Sequence, residues 1–131
     1  MKSVKTLKGK KRRLLKRNTI SQFLKEISMI QQNEKVILQK FKNSKFNSGR
    51  LQIIINDDYC KILNISKNEQ IFLLLRHLYL YLNDNSTKRQ VPNIETKIEL
   101  LMKKITNIVS NKFNIRLKKG DIQKILLTLF S

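Results

Sequence analysis

The chain has 131 residues, with 28 Lys and Arg against 9 Asp and Glu for a formal net charge of +19, and 40% of its residues are hydrophobic. That length holds one domain, or a small domain with helical extensions, around a modest core. No apolar run approaches the roughly 20 residues that span a bilayer, no apolar segment follows the basic start as a secretory signal requires, and the single cysteine, Cys60, rules out an internal disulfide or a cysteine-rich zinc site.

The charge is far beyond the magnitude of about 2 to 8 that solubility alone suggests for a small domain. It implies a polyanionic partner, while the lack of a spanning run, a signal and paired cysteines leads to the expectation of an intracellular protein, cytoplasmic and nucleoid-associated, with no membrane role. Residues 1–18 hold nine cations and no acid, among them Lys10, Lys11, Arg12, Arg13, Lys16 and Arg17. With so few apolar side chains, this segment is expected to be a flexible arm that tracks phosphates. In residues 19–32, Ile20, Phe23, Leu24, Ile27 and Ile30 fall on one helical stripe, with Thr19 as a candidate N-cap.

Residues 33–83 read differently. Val36 to Phe41 looks like a first strand, and a polar loop follows. Leu51, Ile53 and Ile55 then alternate with Gln52 and Asn56, and Leu78, Leu80 and Leu82 alternate with Tyr79 and Tyr81, a period of two that places each set on one face of an extended strand. Between them, Asp57 and Asp58 suit the first turn of a short helix, Tyr59, Ile62 and Leu63 fall at helical spacing, and Asn64 suits a left-handed end to that helix.

The order strand, loop, strand, short helix, hairpin resembles the AbrB/SpoVT swapped-hairpin family, which includes the MazE-type antitoxins. Ser48-Gly49-Arg50-Leu51 matches the family's loop exit, Ile53-Ile54-Ile55 its strand, Leu63-Asn64-Ile65 its turn, Lys67-Asn68-Glu69 its polar step, and residues 71–82 its final hairpin. The departures are Asn56 for the usual proline and Asn64 and Asn68 for the two glycines; Asn is the next-best residue where a positive φ is wanted. The resemblance implies an α+β fold: a swapped-hairpin β core completed by strand exchange in a homodimer, flanked by an N-terminal helix and a C-terminal helical hairpin. It also implies DNA contacts from Lys40, Arg50 and Lys61, with Lys42 and Lys45 adding charge in the loop; Arg50 is the residue best suited to a base edge.

Residues 84–93 form a polar linker that contains the only proline. In residues 94–131, Ile94, Ile98, Leu101, Met102, Ile105, Ile108 and Val109 recur at helical spacing. After a break come Ile122, Ile125, Leu126, Leu129 and Phe130, so the segment reads as a helical hairpin. The run Leu117 to Lys124 faintly resembles the entry to the second helix of ribbon-helix-helix or helix-turn-helix modules; a dimerising or core-covering hairpin is the other reading.

Nothing in the pattern points to catalysis. The one histidine, His77, falls at the expected hairpin turn without an obvious carboxylate partner, and no phosphate loop, nucleophile elbow or metal-ligand spacing occurs. Tyr79 and Tyr81 are expected to pack rather than to stack on bases. The expected function is double-stranded DNA binding by a dimeric, non-enzymatic regulator or DNA-organising factor that needs no cofactor. The alternatives are an antitoxin, disfavoured by the basic C-terminal segment where toxin-binding tails are commonly acidic, and an RNA- or ribosome-associated protein.

Overall fold

In the computed structural model, which describes residues 20–42, 50–83 and 92–131 (except the side chains of residues 41, 42 and 50), Ile71, Phe72, Leu73, Leu74 and Leu75 are all fully buried. Five consecutive buried residues at 100° per step face every direction around a helix, which marks a helix enclosed on all sides. This is the middle of α5 (Lys67–Asn83), the central element. Around it lie α1 (20–32), α2 (Glu34–Lys42), α3 (Arg50–Ile55), α4 (Asp57–Ile62), α6 (Ile94–Phe113) and α7 (Lys119–Phe130).

The expected α+β swapped-hairpin core is therefore corrected: among the described residues there is no strand and no sheet. The alternation that suggested strands was coincidental. Ile53 and Ile54 are adjacent and both buried, which a one-sided strand forbids and a helix crowded on two sides allows. In the second run Leu78 and Tyr81 are buried at a spacing of three, whereas Leu82 is exposed. A short continuous apolar run is compatible with a buried strand or a buried helix, and length arbitrates; the 17 residues of α5 are too many for an ordinary strand. His77 accordingly lies within α5, half-buried and edge-on to Tyr81 at 5.9 Å, and not at a solvated turn. With no strand among the described residues, no exchange of strands calls for a second chain.

Other expectations match the structure. In α1, Phe23 and Ile27 are fully buried with Leu24 and Ile30 packed beside them, although Ile20 at the start of the stripe stays exposed; Thr19 lies outside the described residues. The short helix after the isoleucines is α4. Its cap is Asn56, whose Oδ1 accepts from the N–H groups of Asp58 (2.9 Å) and Tyr59 (3.2 Å), and Asp57 and Asp58 occupy its first turn. Asn64 takes a left-handed φ of 57°. The two C-terminal helices are α6 and α7, which present Leu101, Ile105, Ile108 and Val109, and Ile122, Ile125, Leu126 and Leu129, to the shared core.

Polar contacts set the helix directions. Glu34, at the start of α2, bonds Arg76 in the second half of α5 (2.7 Å), while Lys40, near the end of α2, reaches Glu69 in the first turn of α5 (3.1 Å). Helix α2 therefore runs antiparallel to α5. Helix α6 makes the most extensive contact with α5, and α3 and α7 also pack on it. Phe130 closes the end of α7, its ring 5.2 Å from Tyr79 and 5.9 Å from Phe72, so Tyr79 packs as expected. Helix α1 meets α6 and α7 through Phe23, edge-on to Phe113 at 5.1 Å, and through Gln31 Nε2, which donates to the Leu129 carbonyl at 2.7 Å.

Candidate nucleic-acid interface

The connection from α6 to α7 is short and extended. Asn114 ends α6 in a left-handed conformation (φ 55°), its N–H donating to the Ser110 carbonyl at 3.0 Å. From there Ile115 and Leu117 point into the core, and Arg116 and Lys118 point out, because successive side chains of an extended segment alternate. The Lys118 N–H donates to Asp121 Oδ2 at 2.9 Å, which fixes the start of α7. The outer face of α7 then exposes Lys119, Gln123 and Lys124. Arg116, Lys118, Lys119 and Lys124 are thus all exposed over the α6–α7 connection and the first two turns of α7, the corner where the two helices join, and none forms an ion pair among the described residues.

This basic corner continues along the outer side of α6. Lys103 and Lys119 line an open groove of about 350 Å³ between α6 and α7, with Glu99 and Asn107 also on its wall. Asn107 also lines a second cleft of about 470 Å³, in which Lys104, Asn111 and Lys112 of α6 face Asp57 and Lys67. Positions 104, 107, 108, 111 and 112 form a single helical stripe.

The second cleft is built around Asp57. Its Oδ1 accepts from Lys104 Nζ (3.2 Å), Lys67 Nζ (3.3 Å) and Gln70 Nε2 (3.0 Å). Gln70 is buried, and the same amide nitrogen donates to the Ile54 carbonyl at 2.8 Å, tying the end of α3 to α5. The Gln70 hydrogen bond, joined by those from Lys104 and Lys67, lowers the Asp57 carboxyl to a pKa of about 2 against the opposing effect of burial. Cys60 lies nearby, buried, with Sγ donating to the Ile53 carbonyl at 3.4 Å; burial, reinforced by Asp57, pushes its thiol up to about 11, so it is a packing residue and not a reactive thiolate.

Of the residues expected from the sequence to contact DNA, Lys40 and Lys61 have described side chains. Lys40 is committed elsewhere: its Nζ donates to the Asn64 carbonyl (2.7 Å) and to Glu69 (3.1 Å), and so locks the α4–α5 turn to α2. Burial would raise the Glu69 carboxyl, but the Ser66 N–H and Lys40 together hold it below its ordinary value. Lys61 is exposed on α4. Arg50 opens α3 and Lys42 ends α2, with side chains outside the described set; Lys45 and the arm residues Lys10, Lys11, Arg12, Arg13, Lys16 and Arg17 also lie outside the described residues. Sequence reasoning gave no role to Lys67, Lys103, Lys104, Lys112 or Arg116. The signals were the alternation Ile115-Arg116-Leu117-Lys118 and the recurrence of Lys and Asn at 104, 107, 111 and 112, both legible once α6 is known to be half-buried.

Among the described residues, no group of three His, Cys, Asp or Glu side chains is placed to hold a metal ion, and no helix is long and apolar enough to cross a membrane. No family model, curated protein or solved structure matches this chain.

Proposed function

We propose that this protein binds double-stranded DNA by charge, without catalysing a reaction, and that the α6–α7 corner is the folded part of its contact surface. One observation supports this reading above the others. The acids Glu34, Asp57 and Glu69 are held in ion pairs with Arg76, Lys67, Lys104 and Lys40, while Arg116, Lys118, Lys119 and Lys124 stay exposed together at one corner. This patch, whose four cations outnumber the one acid within it, Asp121, suits a phosphate backbone in a chain of net charge +19. The nine cations of residues 1–18 add to the same field. Phosphate contacts position a protein on a duplex and carry no sequence information, so the binding is expected to be weakly specific, as in a DNA-organising factor or a regulator assisted by deformable DNA.

The test is fluorescence anisotropy of a labelled duplex titrated with full-length protein at several salt concentrations. Six neutralised phosphates give a slope of about −5 in log affinity against log salt, and changing Arg116, Lys118, Lys119 and Lys124 to Gln should reduce its magnitude by about 3 to 4. Absence of duplex binding at low salt, or binding indifferent to salt, would refute the reading. Stronger competition by structured RNA than by duplex DNA would move the partner to RNA.

A further inference from the structure

The second cleft has a chemistry of its own, apart from the exposed corner. One wall is the α6 stripe, where Lys104 and Lys112 flank the carboxamides of Asn107 and Asn111; the other is Asp57 and Lys67 from the starts of α4 and α5. Lys104 and Lys112 are about 12 Å apart along the helix axis, a distance that two lysine side chains bridge by leaning toward a group held between them. Across the cleft, the Lys67 and Lys104 ammonium groups already converge on one oxygen, Asp57 Oδ1, at 3.3 and 3.2 Å.

Three ammonium groups against one carboxylate leave two positive charges unbalanced in a cleft of about 470 Å³, which has room for a ligand beside Asp57. Two unbalanced positive charges match a phosphate dianion. Lysines serve phosphates as point charges, and the carboxamide N–H₂ groups of Asn107 and Asn111 supply directed donors for the remaining oxygens. Asp57 acts as the internal anion that keeps Lys67 and Lys104 in place while the cleft is empty.

We propose that this cleft is a binding site for a phosphate group, contacted by Lys67, Lys104 and Lys112 with Asn107 and Asn111. The group can belong to a small phosphorylated molecule or to a nucleic-acid backbone crossing α6; the site does not depend on duplex binding by the exposed corner.

A distinctive consequence follows from Asp57. Its charge opposes an incoming anion, so Asp57→Asn should tighten binding, about tenfold for a unit charge some 6 Å from a dianion in a water-filled cleft. Asn retains the Oδ1 acceptor for Gln70, so the local fold is kept. Lys104→Gln should weaken binding about tenfold.

The experiment is an NMR titration of the full chain with inorganic phosphate, and separately with a short duplex, read at the side-chain amides of Asn107 and Asn111. Saturable shifts with phosphate, tighter in Asp57→Asn and weaker in Lys104→Gln, support the site. Shifts with phosphate alone make a small phosphorylated molecule the ligand, and shifts with the duplex as well extend it to nucleic acid. No saturable shift with phosphate, or weaker binding by a folded Asp57→Asn variant, overturns the proposal. A duplex that fails to bind at all, with the phosphate response intact, counts against the DNA reading only.

Discussion

Gln70 holds two parts of the molecule with one amide group, and replacing it by Met tests how the cleft and the core are joined. Met keeps the volume and the helix propensity of α5 but removes both donors. The Ile54 carbonyl, at the end of α3, would keep only the long 3.8 Å contact from Cys60 Sγ. A buried acceptor left without a partner costs about 1 to 3 kcal/mol. The lost bond to the Asp57 carboxylate adds about 1 kcal/mol, because that side chain is 46% exposed and solvent screens it.

The expected loss is therefore about 2 to 4 kcal/mol, a fall in Tm of roughly 8 to 16 °C for a chain of this size. The variant also changes the acid limb of the stability curve. Asp57 sits at about 2 in the folded protein against an ordinary 3.8, so its stabilisation is complete above pH 3.8 and is lost as pH falls toward 2. Without the Gln70 bond its pKa moves back up and this dependence shrinks. Urea unfolding followed by circular dichroism, repeated from pH 7 down to pH 2, measures both effects. A Gln70→Met variant within about 0.5 kcal/mol of the parent, or one with an unchanged acid limb, would show that the Gln70–Asp57 link does not join cleft and core in this way.

Two further outcomes follow from named contacts. Asn114 closes α6 at φ 55°, so Asn114→Val should cost about 1 to 2 kcal/mol, while Asn114→Gly should be neutral or slightly stabilising; thermal denaturation of the pair separates backbone strain from a lost side-chain contact. Lys40→Met should lower stability by about 1 to 2 kcal/mol, because it leaves the mostly buried Glu69 carboxylate with one partner fewer, and should leave duplex affinity unchanged; an affinity loss comparable to that of the α6–α7 corner variant would place Lys40 on the DNA surface instead.

Some features of this protein belong to the sequence alone. The charge is one. So are the elements whose signals are local: the amphipathic stripe of α1, the Asn56-Asp57-Asp58 start and Asn64 end of α4, and the apolar faces of the two C-terminal helices. Each depends on which side chains lie within a turn or two of one another, and that information is present in a short window.

Tertiary structure decided the rest. In residues 51–55 and 71–82 the apolar residues are so dense that periods of two and of 3.6 both find matches, and the burial of Ile71 to Leu75 on every side erases the polar face that would have marked a helix. Only the neighbours α3, α6 and α7, which enclose α5, make helix the outcome. The charged sites follow the same logic. Lys104 is remote in sequence from Asp57 and Lys67, and no local pattern joins it to them; packing of α6 against α5 brings its charge to theirs, and Coulomb attraction depends on distance in space, not on distance along the chain.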